Sequence, residues 1–273
     1  MTQWSAWIAI VIGVVQGIVE WLPISSEGGV SILLTALGIA PELAVQLSLF
    51  LHAGTGLAAL AYYRGEVAEI LRDLRGWDRH TDPFAPAAET TTFLLVATAV
   101  SIVVAGGAYL MLLEAATELT GGAFIAVIGG LLVLTGVVQL AAEGRGGSQT
   151  RRLGLLDPVL VGAGQGLAIL PGVSRSGTTA SVLLLRGHSG ERSFRLSFLL
   201  SIPAAFGASV LAVVEIGGVP TADPLIAGTA VLTSALVGYA TIDALMRVVR
   251  RLPFWQVCFG LGGLAILGGV LVM

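Results

Sequence analysis

Apolar residues run along this chain in blocks too long for the core of a soluble domain. Six of them, 43–62, 93–113, 121–141, 196–216, 224–246 and 254–272, match the roughly 20 helical residues that cross about 30 Å of hydrocarbon. They predict six transmembrane helices. Two further apolar regions, 5–39 and 158–185, are broken near their middles by Pro, Gly, Ser and charge. Each predicts a re-entrant pair of half-helices, because a break at membrane depth is tolerated only where the freed backbone groups are buried in protein or line a wet cavity. The expected fold is an all-α polytopic membrane protein, a single membrane domain over 1–273.

Composition agrees with that pattern. Hydrophobic residues make up 55% of the chain and charged residues 11%, with a mean hydropathy of +0.91, which leaves too little polar surface to coat a soluble domain. The net charge of −3 comes with no basic tract, so nucleic acid is not an expected partner. Cys258 stands alone in an apolar run, which excludes a disulfide. Ser5–Val19 lacks the basic and small-residue flanks of a signal peptide and is read as part of the mature protein.

Arginine fixes the orientation. The chain has no lysine, and thirteen of its fourteen arginines fall in four segments: Arg64, Arg72, Arg75 and Arg79; Arg145, Arg151 and Arg152; Arg186, Arg192 and Arg195; Arg247, Arg250 and Arg251. One topology puts all four segments in the cytoplasm. The linkers 114–120 and 217–223 carry only acids and lie outside, as do the N-terminal region and the C-terminus. The first broken region then enters from outside and the second from inside. Only Arg175 remains within membrane sequence.

The chain also repeats itself. A shift of 149 residues superposes Gly13, Gln16, Gly17, Ser25 and Gly28 on Gly162, Gln165, Gly166, Ser174 and Gly177, and Leu47, Ser48 and Leu51 on Leu196, Ser197 and Leu200. Each half, about 1–148 and 149–273, holds one broken pair and three spans. Three is odd, so the repeats are inverted and the two re-entrant pairs enter from opposite faces. In such repeats the breaks meet near the midplane, where substrate sites form.

The broken regions carry the chemistry. Ser174, Arg175, Ser176, Thr178 and Thr179 set hydroxyls and a guanidinium at what reads as a helix N-terminus, a cradle for phosphate or carboxylate. A competing reading makes Arg175 the partner of Glu20 or Glu27 in a buried ion pair joining the halves. Glu20 and Glu27, beside an anion site, call for a bridging divalent cation or a proton-accepting role, with Ser25, Ser26 or water as the group activated. Otherwise Glu20 caps the break and Glu27 is solvated in an outer vestibule. Gln16 and Gln165 read as hydrogen-bonding groups between the repeats. His52, midway along the first span, reads as a neutral imidazole bonded to a neighbouring helix, and is the sole membrane-embedded one. The 64–92 loop reads as a solvated connection.

Two stretches resemble a known family, the integral-membrane undecaprenyl-diphosphate phosphatases, also called bacitracin-resistance proteins. Gln16-Gly17-Ile18-Val19-Glu20-Trp21-Leu22-Pro23-Ile24-Ser25-Ser26 is similar to the family's (E/Q)GxTEFLPxSSTGH, and Pro171-Gly172-Val173-Ser174-Arg175-Ser176-Gly177-Thr178-Thr179 to its PGxSRSGxT. The resemblance implies removal of the terminal phosphate from a polyprenyl diphosphate at the outer membrane face, recycling a lipid carrier for glycan assembly. It implies that Glu20 belongs to an acidic pair whose first member is Gln16 here, that Ser26 acts in catalysis, that Arg175, Ser174, Ser176 and Thr179 grip the diphosphate, and that a divalent cation, Mg2+ or Ca2+, assists, with Glu20 as its ligand. Oligomeric state is not encoded visibly, and a homodimer remains open.

The chain departs from the family where Thr-Gly-His would follow the paired serines: it has Glu27-Gly28-Gly29. Three outcomes compete: Glu27 or Glu20 takes over as base, His52 substitutes from the neighbouring span, or hydrolysis is lost. A partly buried carboxylate suits proton transfer, which favours the first. The alternative class is a transporter or flippase of polyprenyl phosphate or another amphipathic anion, since inverted repeats with broken helices also build secondary transporters.

Overall fold

A computed structural model describes residues 6–36, 38–76, 82–86, 88–119, 121–147, 151–219, 223–249 and 252–273. Ser5, Arg79, His80, Arg250 and Arg251 lie outside the described residues. Within them the chain is helical, with no strand: α1 (Ala6–Val19), α2 (Ser26–Ala36), α3 (Pro41–Tyr62), α4 (Arg64–Leu74), α5 (Glu89–Glu118), α6 (Gly121–Ala142), α7 (Leu156–Leu167), α8 (Arg175–Leu185), α9 (Gly190–Ile216), α10 (Pro224–Val249) and α11 (Phe254–Leu271). Six of these, α3, α5, α6, α9, α10 and α11, are long and apolar enough to span a membrane, and they are the six expected. The chain is therefore an all-helical, multi-pass membrane protein.

Helix boundaries follow local chemistry. Helix α9 begins before its apolar block because Ser189 caps it, its Oγ accepting from Arg192 N at 3.3 Å, and Pro41 starts α3 at a position where no intrahelical N–H is needed. Helix α4 corrects the reading of 64–92 as a solvated connection throughout. It buries no residue fully, but Val67 and Ile70, three apart, lie on the cluster around Trp21, Ala58 and Phe198. Its surrounding charges hid that short apolar stripe.

Helices α3 and α9 pack on each other at the centre. In α3, 72% of the spanning window is buried, against 22% in α11, so α3 is a core element and α11 faces lipid. The broken pairs α1–α2 and α7–α8 flank this centre, α1 on α10, α7 on α5, α2 on α3 and α8 on α9. Glycine permits the closest of these approaches. A methyl group on Gly17 would come within 2.9 Å of Gly238 N and Ser234 O on α10, and one on Gly166 within 2.8 Å of Ser101 O on α5. Small residues are the usual means of such backbone contact in membranes.

Ion pairs gather the arginine-bearing segments at one end. Arg195 pairs with Glu66 at 2.6 Å, Arg192 with Glu89 at 2.5 Å and Arg152 with Asp82 at 3.3 Å. The Asp157 carboxylate accepts from Arg186 Nε at 2.7 Å and Gly154 N at 2.8 Å, tying the start of α7 to the end of α8.

Gly17→Ala and Gly166→Ala each place a methyl group against backbone that cannot yield, and each is expected to cost about 1–3 kcal/mol. Thermal unfolding of the detergent-solubilised protein checks this; an unchanged midpoint in either variant would show that the helices do not approach so closely.

Candidate active site

Each broken pair is interrupted where the sequence turns polar. The first break, between α1 and α2, ends at Ser25, the single non-glycine residue with positive φ (64°) among those described. Trp21 fixes it from behind, donating Nε1–H to Gly238 O at 3.1 Å and stacking obliquely on Phe198. The second break, between α7 and α8, turns at Gly172, φ 100°, and Ser174 caps α8, its Oγ accepting from Gly177 N at 3.2 Å.

The two breaks are bonded to one another. Ser25 Oγ accepts from Gly172 N at 3.0 Å and from Gly28 N at 3.1 Å, so one hydroxyl joins both turns. Helix α6 braces the joint. Thr135 Oγ1 donates to Gly172 O at 3.0 Å and accepts from Ser174 N at 3.1 Å, while Gln139 Nε2 donates to Pro23 O at 2.6 Å. The backbone of the second break is thus satisfied by Ser25 and Thr135 of the first half, and Pro23 O of the first break by Gln139 of its own half, as burial demands.

Four ionisable side chains meet in front of this joint. Arg175 Nη2 donates to Glu20 Oε1 at 2.7 Å. The other oxygen, Oε2, accepts from Ser26 Oγ at 2.6 Å and from Gln16 Nε2 at 3.1 Å. His52 Nε2 stands 3.2 Å from that same oxygen and 3.5 Å from Glu27 Oε1. Its Nδ1 is 2.9 Å from Ser48 O, so both ring nitrogens face oxygens. Glu27 Oε2 is buried with no hydrogen-bond partner among the described residues.

These groups enclose a polar recess of about 20 Å³ lined by Glu20, Ser25, Ser26, Glu27, His52, Ser174, Arg175 and Ser176, room for about one water. Glu27, His52 and Arg175 also form one wall of a second cavity of about 380 Å³. The rest of that cavity is mostly apolar: Ile102, Ala105 and Gly106 of α5 face Pro203, Ala204 and Leu211 of α9. An apolar chamber with charged groups at one end suits an amphipathic anion.

Sequence comparison agrees with the geometry. The model of the family described as bacitracin resistance protein BacA matches residues 9–264. The chain belongs to the BacA family. Among its relatives is a Haloarcula marismortui protein named undecaprenyl-diphosphatase, 52% identical over 266 residues and 97% of both chains. Proteins of the same name from Methanopyrus kandleri and Methanococcoides burtonii are 39% and 38% identical, covering 98% and 95% of this chain and 97% and 96% of theirs.

Within this BacA-family chain most of the expected residues converge, with informative exceptions. Ser25, Ser26, Glu20, Glu27, Ser174, Arg175 and Ser176 line the recess, and Glu27 lies in its wall rather than solvated outside. Thr178 and Thr179 do not line it. They lie one turn further along α8: the Thr178 methyl faces α7, where a methyl on Gly164 would meet it at 2.9 Å, and Thr179 Oγ1 is bonded to Arg175 O at 2.8 Å and to Ser197 Oγ at 2.6 Å. Gln16 bonds to Glu20 within its own half, not across the repeats, whereas Gln165 does cross, to Ser101 Oγ at 3.3 Å, beside the apolar cavity. His52 does reach out of its own helix: Nε2 faces the Glu20 carboxylate and that of Glu27 on neighbouring α2, while Nδ1 faces the Ser48 carbonyl of α3. Thr135, Gln139 and Ser197 were not singled out as site residues. Only Ser197 gave a signal, as part of the repeated Leu-Ser-x-x-Leu.

Ser25→Ala removes the acceptor shared by two buried backbone N–H groups. It is expected to lower stability by about 1–3 kcal/mol, read as a drop in unfolding temperature; a midpoint equal to wild type would show that the two turns are not joined there.

Proposed function

We propose that this protein hydrolyses the terminal phosphate of a polyprenyl diphosphate to give the monophosphate and inorganic phosphate. The observation that carries this reading is the Arg175 guanidinium at the N-terminus of α8, 2.7 Å from Glu20, at the end of an apolar cavity. The names carried by relatives covering nearly the whole chain support the same reaction.

Roles follow from the distances. Arg175, the N-terminus of α8, and the Ser174 and Ser176 hydroxyls receive the diphosphate, since a helix N-terminus and a guanidinium both favour phosphate oxygens. Ser26 Oγ, its proton directed to Glu20 Oε2 at 2.6 Å, attacks the terminal phosphorus as Glu20 takes the proton. The bond from that phosphorus to the bridging oxygen breaks, and polyprenyl monophosphate departs with the bridging oxygen. Water then releases phosphate from Ser26. His52, between Glu20 and Glu27, passes the proton onward and fills the role left by the missing motif histidine. The carboxylate favoured as base is thus Glu20, nearest the nucleophile, rather than Glu27.

A divalent cation fits one part of this arrangement. Both oxygens of Glu20 are engaged, while the unpartnered Oε2 of Glu27 is a hard ligand of the kind Mg2+ and Ca2+ take. No group of three His, Cys, Asp or Glu side chains among the described residues is arranged to hold a metal, so the remaining ligands would come from diphosphate and water. Such a cation supplies charge neutralisation on the phosphate oxygens.

The halves form inverted repeats, in this reading, with the broken pairs re-entrant from opposite faces. In support, Gly13 and Gly17 contact Ala230, Ser234 and Gly238 on α10 much as Gly162 and Gly166 contact Ala97, Ser101 and Ala105 on α5. The apolar cavity flanks the parts of α5 and α9 that run toward the acidic linkers. With the arginine end in the cytoplasm, the lipid enters from the outer leaflet.

Purified protein in detergent is expected to release phosphate from a C55-type polyprenyl diphosphate, with EDTA lowering the rate and Glu27→Gln lowering it at least about tenfold through the lost cation ligand. Absence of phosphate release with added Mg2+ or Ca2+ would contradict hydrolysis and leave the transporter reading. Undiminished, EDTA-sensitive turnover in Glu27→Gln would remove Glu27 from the site chemistry.

A further inference from the structure

The repeated Leu-Ser-x-x-Leu brings one serine from each half against the site. Ser48 of α3 and Ser197 of α9 are both fully buried, where an unpaired hydroxyl is costly. Ser197 touches α8 twice. Its main-chain oxygen accepts from Arg175 Nη1 at 3.4 Å, and its Oγ lies 2.6 Å from Thr179 Oγ1. Thr179 Oγ1 donates to Arg175 O, so Ser197 is the donor to Thr179. Arg175 is therefore held at both its guanidinium and its backbone.

Ser48 holds the counterpart place in the other half. Its main-chain oxygen is 2.9 Å from His52 Nδ1, a contact alanine would keep; its hydroxyl accepts from Ser31 of α2 at 3.3 Å and donates to Val45 O at 2.8 Å, tying the helix that carries Ser26 and Glu27 to the one that carries His52. With Nδ1 held there, Nε2 is directed at Glu20 and Glu27. We propose that Ser48 and Ser197 are a matched pair of positioning residues: Ser197 sets the anion-gripping Arg175, and Ser48 sets the proton-handling His52. The two halves thereby divide binding from proton transfer. This rests on the phosphatase reading for its kinetic form, though not for its effect on anion affinity.

Ser197→Ala keeps the main-chain contact to Nη1 but loses the Thr179 bond, and is expected to raise KM for polyprenyl diphosphate about tenfold with kcat nearly kept; Ser48→Ala keeps the contact to Nδ1 but loses the Ser31 link between α2 and α3, and is expected to lower kcat about tenfold with KM nearly kept, each the size of one lost hydrogen bond. Thr179→Val breaks the Ser197 bond from its other end and should reproduce Ser197→Ala, the double variant being no worse than either. Ser201→Ala serves as control, because among the described residues that hydroxyl bonds only to Phe198 O of its own helix. A merely structural role would move kcat and KM together in both serine variants, or leave them like the control, and either result overturns the proposal. Calorimetric affinity for a methylene-bridged polyprenyl diphosphate analogue separates the two levels. If wild type releases no phosphate, the phosphatase reading fails, while weaker analogue binding by Ser197→Ala and not by Ser48→Ala still supports the positioning pair; equal affinity in all three proteins overturns it.

Discussion

The contact between Arg175 and Glu20 is the constraint on which the rest of the structure depends. Removing either charge from water costs several kcal/mol, and attraction offsets this only when geometry is close and the remaining polar atoms are satisfied. Both conditions hold. The carboxylate also accepts from Ser26 and Gln16, and the guanidinium also donates to Ser197 O. The pair bridges 155 residues of sequence, so it forms only when both halves are assembled. In the proposed reaction, an incoming diphosphate would meet an arginine already desolvated and aimed, with one carboxylate to displace.

Two features of the fold make that pair possible. Helix breaks present backbone N–H groups and hydroxyls where continuous helices would present only side chains, and Ser25, Thr135 and Gln139 satisfy the backbone so exposed. Gly17 and Gly166 let α1 and α7 lie against α10 and α5 at backbone distance, which sets where the breaks fall. Apolar residues of α5 and α9 line the cavity that Glu27, His52 and Arg175 close, so the hydrogen bonds among these buried groups act in a low dielectric.

Much of this was legible in the sequence because the membrane makes polarity conspicuous. A run such as Ser174-Arg175-Ser176 inside apolar sequence has few structural explanations, and the six spans follow from length and hydropathy alone. What stayed hidden depends on helix phase and on partners distant in sequence. Thr178 and Thr179 belong to the polar run, yet a further turn of α8 carries them away from the recess. His52 looked like an ordinary buried imidazole because neither Glu20 nor Glu27 is near it in sequence. Thr135 and Gln139 sit in an apolar span, and only the fold shows that they brace both breaks. Helix α4 was masked by its charges. The repeated serines were visible as a repeat, but their purpose needed the geometry.

In the proposed mechanism Arg175 binds the diphosphate while Glu20 competes for that arginine and takes the proton from Ser26. The most direct measurement is the affinity of Glu20→Gln for a methylene-bridged polyprenyl diphosphate analogue, set beside its rate of phosphate release. Affinity equal to or tighter than wild type is expected, because a competing carboxylate is gone, with release slowed at least about a hundredfold by loss of the base. Weakened binding with turnover retained would contradict it.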